Sequence, residues 1–184
     1  MQETAWQAFS ERMSCEDRWH VDCVAIDWPL SSARAAELAE RALSVLTSVA
    51  ALEDRRVENS DDENPLLPEI QRLEAKLTAL VYMVSQLLES TGALPARQRL
   101  RFNAIGAVLP AASVPPDKGL LLRLHFDACP NLPLELAARV ERKLEDGRVF
   151  VVFALPNEAL GEAIERLIFR HHRRQIAEKR HLTN

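Results

Sequence analysis

The apolar positions of this chain change their period twice. Residues 31 to 90 place apolar side chains three and four apart, as one face of a helix requires. From about residue 97 the apolar runs become short, often alternating, and are bounded by Gly and Pro, as strands are. After Asn157 the helical period returns and lasts to the basic end of the chain.

In the first regime, Ser31 or Ser32 can cap a helix over SSARAAELAERALSVLTSVAALEDRR, with Leu38, Ala42, Val45, Val49 and Leu52 on one face. ENSDDENP then breaks the pattern with charge, and Asn64-Pro65 reads as a second helix entry. In PLLPEIQRLEAKLTALVYMVSQLLES, Leu66, Ile70, Leu73, Leu77, Leu80, Val84 and Leu87 alternate spacings of four and three. Ile70, Leu77 and Val84 take heptad position a, and the four leucines 66, 73, 80 and 87 take position d. About 22 residues make a rod of about 33 Å, and Gly92 and Pro95 stop it. Val81, Met83 and Leu88 add apolar surface at e and g, where a simple two-stranded coil carries charge. One helix partner does not cover so wide a face. The pattern therefore predicts a helical hairpin that self-associates, with a multi-helix bundle favoured over a dimeric zipper.

In the second regime, LRFNAIGAVL, GLLLRLHFDA and GRVFVVFALP predict antiparallel strands. Asp146-Gly147 is a hairpin turn signal, so LPLELAARVERKLED is read as a strand despite its helical propensity. PNEALGEAIERLIFRHHRRQIAEKR predicts the final helix, capped by Asn157, with Leu160, Ile164, Leu167 and Ile168 facing inward. At the other end, WHVDCVAIDW predicts a strand anchored by Trp19 and Trp28. The fold class is α+β. Its expected units are an N-terminal segment over 1-30 that can contribute a strand, helices over 31-92, and a strand-rich unit with its helix over 93-184.

Composition narrows the function classes. A net charge of -4 gives no global attraction to nucleic acid or anionic membrane. No apolar run approaches the ~20 residues of a membrane span, and the start carries no signal-peptide core, so a cytoplasmic location is expected. Three cysteines, Cys15, Cys23 and Cys129, read as reduced thiols. With His20 they offer no obvious fourth metal ligand, so no metal is expected. His171 and His172 are adjacent on a helix and point apart; neither a phosphate loop nor HExxH occurs. No catalysis and no cofactor are expected. Arg170, Arg173, Arg174, Lys179 and Arg180 could contact phosphates, but no aromatic residues are interleaved for base stacking, and cations suit a helix C-terminus. Nucleic acid is not an expected partner.

FNAIGAV, the DG hairpin and the helical ending ERLIFRHHRRQ, taken in order, resemble the PilZ domain, a small β-barrel closed by a helix and associated with bacterial cyclic di-GMP signalling. The leucine-rich second helix resembles that of an atypical, tetramer-forming PilZ branch of plant-pathogenic bacteria. There, a pair of long coiled-coil-forming helices is inserted and mediates assembly. The resemblance implies a PilZ-like antiparallel β-barrel over 93-184 and an oligomerisation insertion over 31-92. It also implies protein partners, not identified by the sequence, in surface motility, type IV pili or virulence control.

Dinucleotide-binding PilZ domains carry RxxxR in a flexible arm and (D/N)xSxxG on a later strand. With Gly106 at the motif glycine, Arg101 falls at the Asp/Asn position and Asn103 at the Ser position, so only Gly106 fits. Arg97 and Arg101 spell RxxxR, but Arg101 cannot serve both motifs. Residues 97, 99 and 101 of a strand share one face and make a basic stripe, whereas a dinucleotide needs donors converging on two phosphates and guanine edges. The expectation is a degenerate site without cyclic di-GMP. The alternative is a cyclic di-GMP effector using Arg97 and Arg101.

Overall fold

The computed structural model describes residues 4–53, 93–116, 119–155 and 157–181, with side chains through Ala177. Between 54 and 92 it describes only Ile70, Leu73, Lys76, Leu77 and Val84, all in helical backbone. Leu66, Leu80, Val81, Met83, Leu87, Leu88 and the ENSDDENP connection lie outside the described residues, as do the side chains of Lys179 and Arg180.

The elements in chain order are α1 (Ala5–Glu11), β1 (Cys15–Ile26), α2 (Ser32–Glu53), β2 (Arg97–Phe102), β3 (Gly106–Pro110), a 3-10 turn (Ala111–Ser113), β4 (Gly119–Phe126), β5 (Cys129–Lys143), β6 (Arg148–Phe153) and α3 (Glu158–His181). The six strands close an antiparallel barrel in the order β1-β2-β3-β6-β5-β4. β1 closes it by pairing twice, Cys15 to His20 with β2 and His20 to Ile26 with β4. It starts earlier than the WHVDCVAIDW pattern predicts, because the charged residues 16 to 18 still pair across to β2.

The continuous apolar run of β4 follows from burial on both faces. Leu120, Leu122 and Leu124 enter the main core, while Leu121 packs outward with Ala137 of β5 and Leu38 of α2. Ser31 Oγ accepts from Arg34 N at 3.2 Å and so is the cap of α2. This helix lies on β5 and α3. Leu38, Ala42, Val45 and Val49, read from the sequence as part of an assembly face, are buried within the chain itself. That reading needs correction: periodicity shows that a face is covered, not what covers it. Of that set only Leu52 is exposed.

LRFNAIGAVL is likewise two strands rather than one. Asn103 N donates to Gly106 O at 3.0 Å, and Asn103 Oδ1 accepts from Ile105 N at 2.8 Å, which folds the chain back as a β2–β3 hairpin. At the β5–β6 turn Gly147 has φ +76°, the left-handed conformation that the DG signal anticipates. Asn157 Oδ1 caps α3 by accepting from Leu160 N at 3.0 Å. Leu160, Ile164, Leu167 and Ile168 are buried in the main core. Among the described residues no helix is long and apolar enough to cross a membrane.

Candidate functional site

The outer face of β2, the turn that follows it and the first residue of β3 hold the residues of the degenerate motif. Leu100 and Phe102 point into the core, which sends Arg97, Arg99 and Arg101 outward. Each guanidinium already has protein partners. Arg97 donates to Asp127 Oδ1 at 2.5 Å and to Arg18 O at 3.1 Å. The Asp127 hydrogen bond and charge push the Arg97 pKa further up. Arg99 Nε donates to Glu16 Oε1 at 2.7 Å. Arg101 Nε donates to Ser14 Oγ at 2.8 Å, and its guanidinium sits 5.1 Å above the Phe9 ring.

Asn103, at the motif's Ser position, is 1% exposed. Its amide nitrogen donates to Phe9 O at 2.9 Å, and its amide oxygen holds Ile105 N, so both ends of the side chain are engaged. Gly106 pairs with Val152 of β6. A Cβ there would meet the carbonyl oxygen of Val151 and lie 2.8 Å from Phe150 Cε2. Packing alone therefore explains a glycine at this position. Arg97, Arg101, Asn103 and Gly106 are brought onto one outer wall, but not as a set of free donors around an open cradle.

What covers that wall is α1, an element the sequence pattern missed. Phe9 is wholly buried on Val108 and Phe150, and Trp6 stands edge-on to Phe150 at 5.2 Å. A local signal for it exists: Thr4 and Gln7 form a reciprocal capping box, with Trp6 and Phe9 one turn apart.

Two residues of the basic ending are also engaged, while Arg170 Nε is buried without a hydrogen-bond partner among the described residues. Arg174 donates to Glu53 O and pairs with Glu53 Oε1, each at 3.1 Å. His171 Nε2 lies 3.3 Å from Asp17 Oδ2, and its ring meets Trp19 at 5.0 Å between centroids, tilted by 43°. The cysteines do not converge. Cys15 and Cys23 are eight positions apart along one strand, about 26 Å at the usual rise, and burial pushes each thiol up to about 12. Among the described residues no group of His, Cys, Asp and Glu gathers as a metal ligand set.

The described part of the second predicted helix carries a different surface. Ile70, Leu73, Leu77 and Val84 are 49%, 57%, 60% and 53% exposed in the single chain. These are three a positions and one d position of the heptad.

A comparison with curated protein sequences returned no match. Among solved structures, the chain is similar to a pathogenic protein from Xanthomonas campestris, described as a tetrameric PilZ domain self-assembled via an unusual helical bundle. The two share 30% identity over 92% of this chain and 93% of that one, with a TM-score of 0.71. Residues 46–181 match the family model described as atypical PilZ domain, cyclic di-GMP receptor. That span runs from the second half of α2 through the barrel strands β2 to β6 and α3, and on these grounds the chain belongs to the atypical PilZ domain family.

Proposed function

We propose that this chain is a non-catalytic regulator or scaffold that assembles through the heptad face of the second helix in its 31-92 segment and works by protein-protein contact, without taking cyclic di-GMP at its degenerate motif. The carrying observation is the exposure of Ile70, Leu73, Leu77 and Val84 at heptad spacing. Each buried leucine is worth about 1.5–3 kcal/mol, so a face of this kind recruits a cover. Copies of the same chain supply one, and the bundle in the Xanthomonas campestris relative supports that choice. Assembly multiplies weak barrel contacts by avidity. The partners belong to control of motility, type IV pili or virulence, as the family resemblance implies.

Light scattering at low micromolar concentration tests the assembly. The native chain is expected as a tetramer and Leu73→Asp/Leu77→Asp as a monomer. A monomeric native chain ends the proposal.

The second reading, a cyclic di-GMP effector, keeps the support of the family's receptor description. Against it stand Arg97 and Arg101 already bound to Asp127 and Ser14, and Asn103 already buried. Calorimetry with cyclic di-GMP decides. Saturable micromolar binding lost in Arg101→Ala favours the effector; no heat of binding favours the scaffold.

A further inference from the structure

We propose that the barrel mouth beside Trp28 binds a small organic anion with an aromatic body, an aryl carboxylate, whose head is taken by Lys143. The mouth is the end at which β1, β3 and β5 finish and β4 and β6 begin. A cavity of about 570 Å³ opens there, lined by β5, β6, Trp28 and the chain from Ala111 to Pro116. Small-molecule sites fall in the range of roughly 300–1,000 Å³. The cavity shares no residue with the motif wall, and the proposal depends neither on assembly nor on a protein partner.

A slip in the register of β5 puts Lys143 there. Val140 pairs with Val151 and Arg142 with Phe150, so Glu141 is an extra residue on β5. Without it, strict alternation would send Arg142 inward with Val140 and turn Lys143 to the outside. With it, Arg142 faces out over Trp6, and Lys143 falls opposite Val149, whose side chain is part of the core. Lys143 has no ion-pair partner among the described residues. Arg139, the other cation on the lining, is already paired with Glu141 at 3.2 Å. No described lining residue is a carboxylate, so an anion at the mouth meets positive charge alone.

The rest of the lining is apolar and held in place. Val149 is buried in the main core, and Val114 and Val140 pack against it. Ala111 N donates to Gly147 O at 3.0 Å, and Ser113 Oγ donates to Gln98 Oε1. These two bonds pin the 3-10 turn to the β5–β6 hairpin and to β2. Trp28 lies close over the start of β4, where a Cβ on Gly119 would come 2.8 Å from Trp28 Cβ. It is the one aromatic ring on the described lining, and an aromatic body gains more from such a ring than its buried area alone supplies. Walls set before the ligand arrives spare the entropy of ordering them on binding.

Calorimetry on the full chain with naphthoate tests the site. Saturable binding is expected, at least ~10-fold tighter than that of the neutral isostere naphthylmethanol, the factor that one contact to a charged group supplies. Lys143→Gln should weaken naphthoate by a similar ~10-fold, and Lys143→Arg should keep it within ~3-fold. Lys143 is exposed, so both variants are expected to unfold at the native denaturant midpoint. In the methyl spectrum of the native chain, naphthoate should shift Val114, Val140 and Val149 and leave Val108 and Val152 of the outer wall in place; this reading needs no variant to fold. No saturable binding, equal affinity for the alcohol, undiminished affinity in Lys143→Gln, or shifts confined to other residues each overturn the proposal. Decanoate carries the same head on an acyl chain and should bind more weakly than naphthoate. Equal or tighter decanoate overturns the aromatic assignment in favour of a lipid anion.

Discussion

Asn103 donates its amide hydrogen to the main-chain oxygen of Phe9 across 2.9 Å, tying the β2–β3 turn to α1 over 94 residues of chain. The same side chain holds Ile105 N, so one buried amide organises both the hairpin and its cover.

Asn103→Ala removes a donor and an acceptor from a buried site and leaves Phe9 O and Ile105 N without those partners. The expected cost is about 1–3 kcal/mol, read from the denaturant midpoint at unchanged slope. Asn103→Asp should be no better, because a carboxylate cannot donate to the Phe9 carbonyl and carries a charge into a buried place. If either variant unfolds at the native midpoint, the amide is not the organiser described here.

Gly106 separates packing from ligand chemistry. In Gly106→Ala the new methyl meets backbone of β6, which yields less readily than a side chain. Overpacking of this kind costs about 1–3 kcal/mol, and a backbone neighbour puts the change at the top of that range. The expected outcome is a lowered midpoint in the complete absence of nucleotide. A variant with native stability and altered cyclic dinucleotide binding would return Gly106 to a ligand role.

The thiols give a pH dependence with a defined sign. Cys15 and Cys23 are pushed up from an ordinary 9.0 to about 12, mainly by burial and then by neighbouring carboxylates. Well below pH 9 both folded and unfolded thiols are protonated, so the shift has no effect on stability there. Between pH 9 and 12 the unfolded thiols ionise first, the unfolded state binds fewer protons, and stability falls as pH rises. Cys15→Ala/Cys23→Ala should flatten that alkaline decline between pH 8 and 10.5, measured as the shift in denaturant midpoint. Native Cys15 and Cys23 should also resist alkylation at pH 8 until the chain unfolds.

Alternation made the barrel legible wherever one strand face meets the core, as in β5, where Leu134, Leu136 and Ala138 alternate inward against a helical propensity. The final helix was legible for the same reason, since Asn157 and the inward stripe agree. The β2–β3 turn was not. Its apolar residues continue straight through the bend, and the bend itself depends on one asparagine side chain. α1 was hidden in a different way: seven residues carry too little period to register, and only the Thr4 and Gln7 box marked it. For α2 the stripe was correct and its partner was wrong, because Leu38, Ala42, Val45 and Val49 meet β5 and α3 before any second copy can reach them. The motif residues were located, but the sequence could not show that Asp127, Ser14 and Phe9 already occupy them.

Arg174 closes the account of the basic ending, which sequence alone offered to phosphates. Its fork takes two oxygens of one residue, the carboxylate and the main-chain carbonyl of Glu53, at the last described turn of α2. Arg174 is 42% exposed, which screens the pair, so Arg174→Ala is expected to cost only about 1 kcal/mol. Arg174→Lys should not restore it, because a single ammonium does not reproduce the two-pronged contact. Thermal unfolding of the three chains reads that order, with light scattering run alongside. A stable Arg174→Ala chain that no longer retards a nucleic-acid probe at low salt would show that the arginine serves phosphates instead of α2.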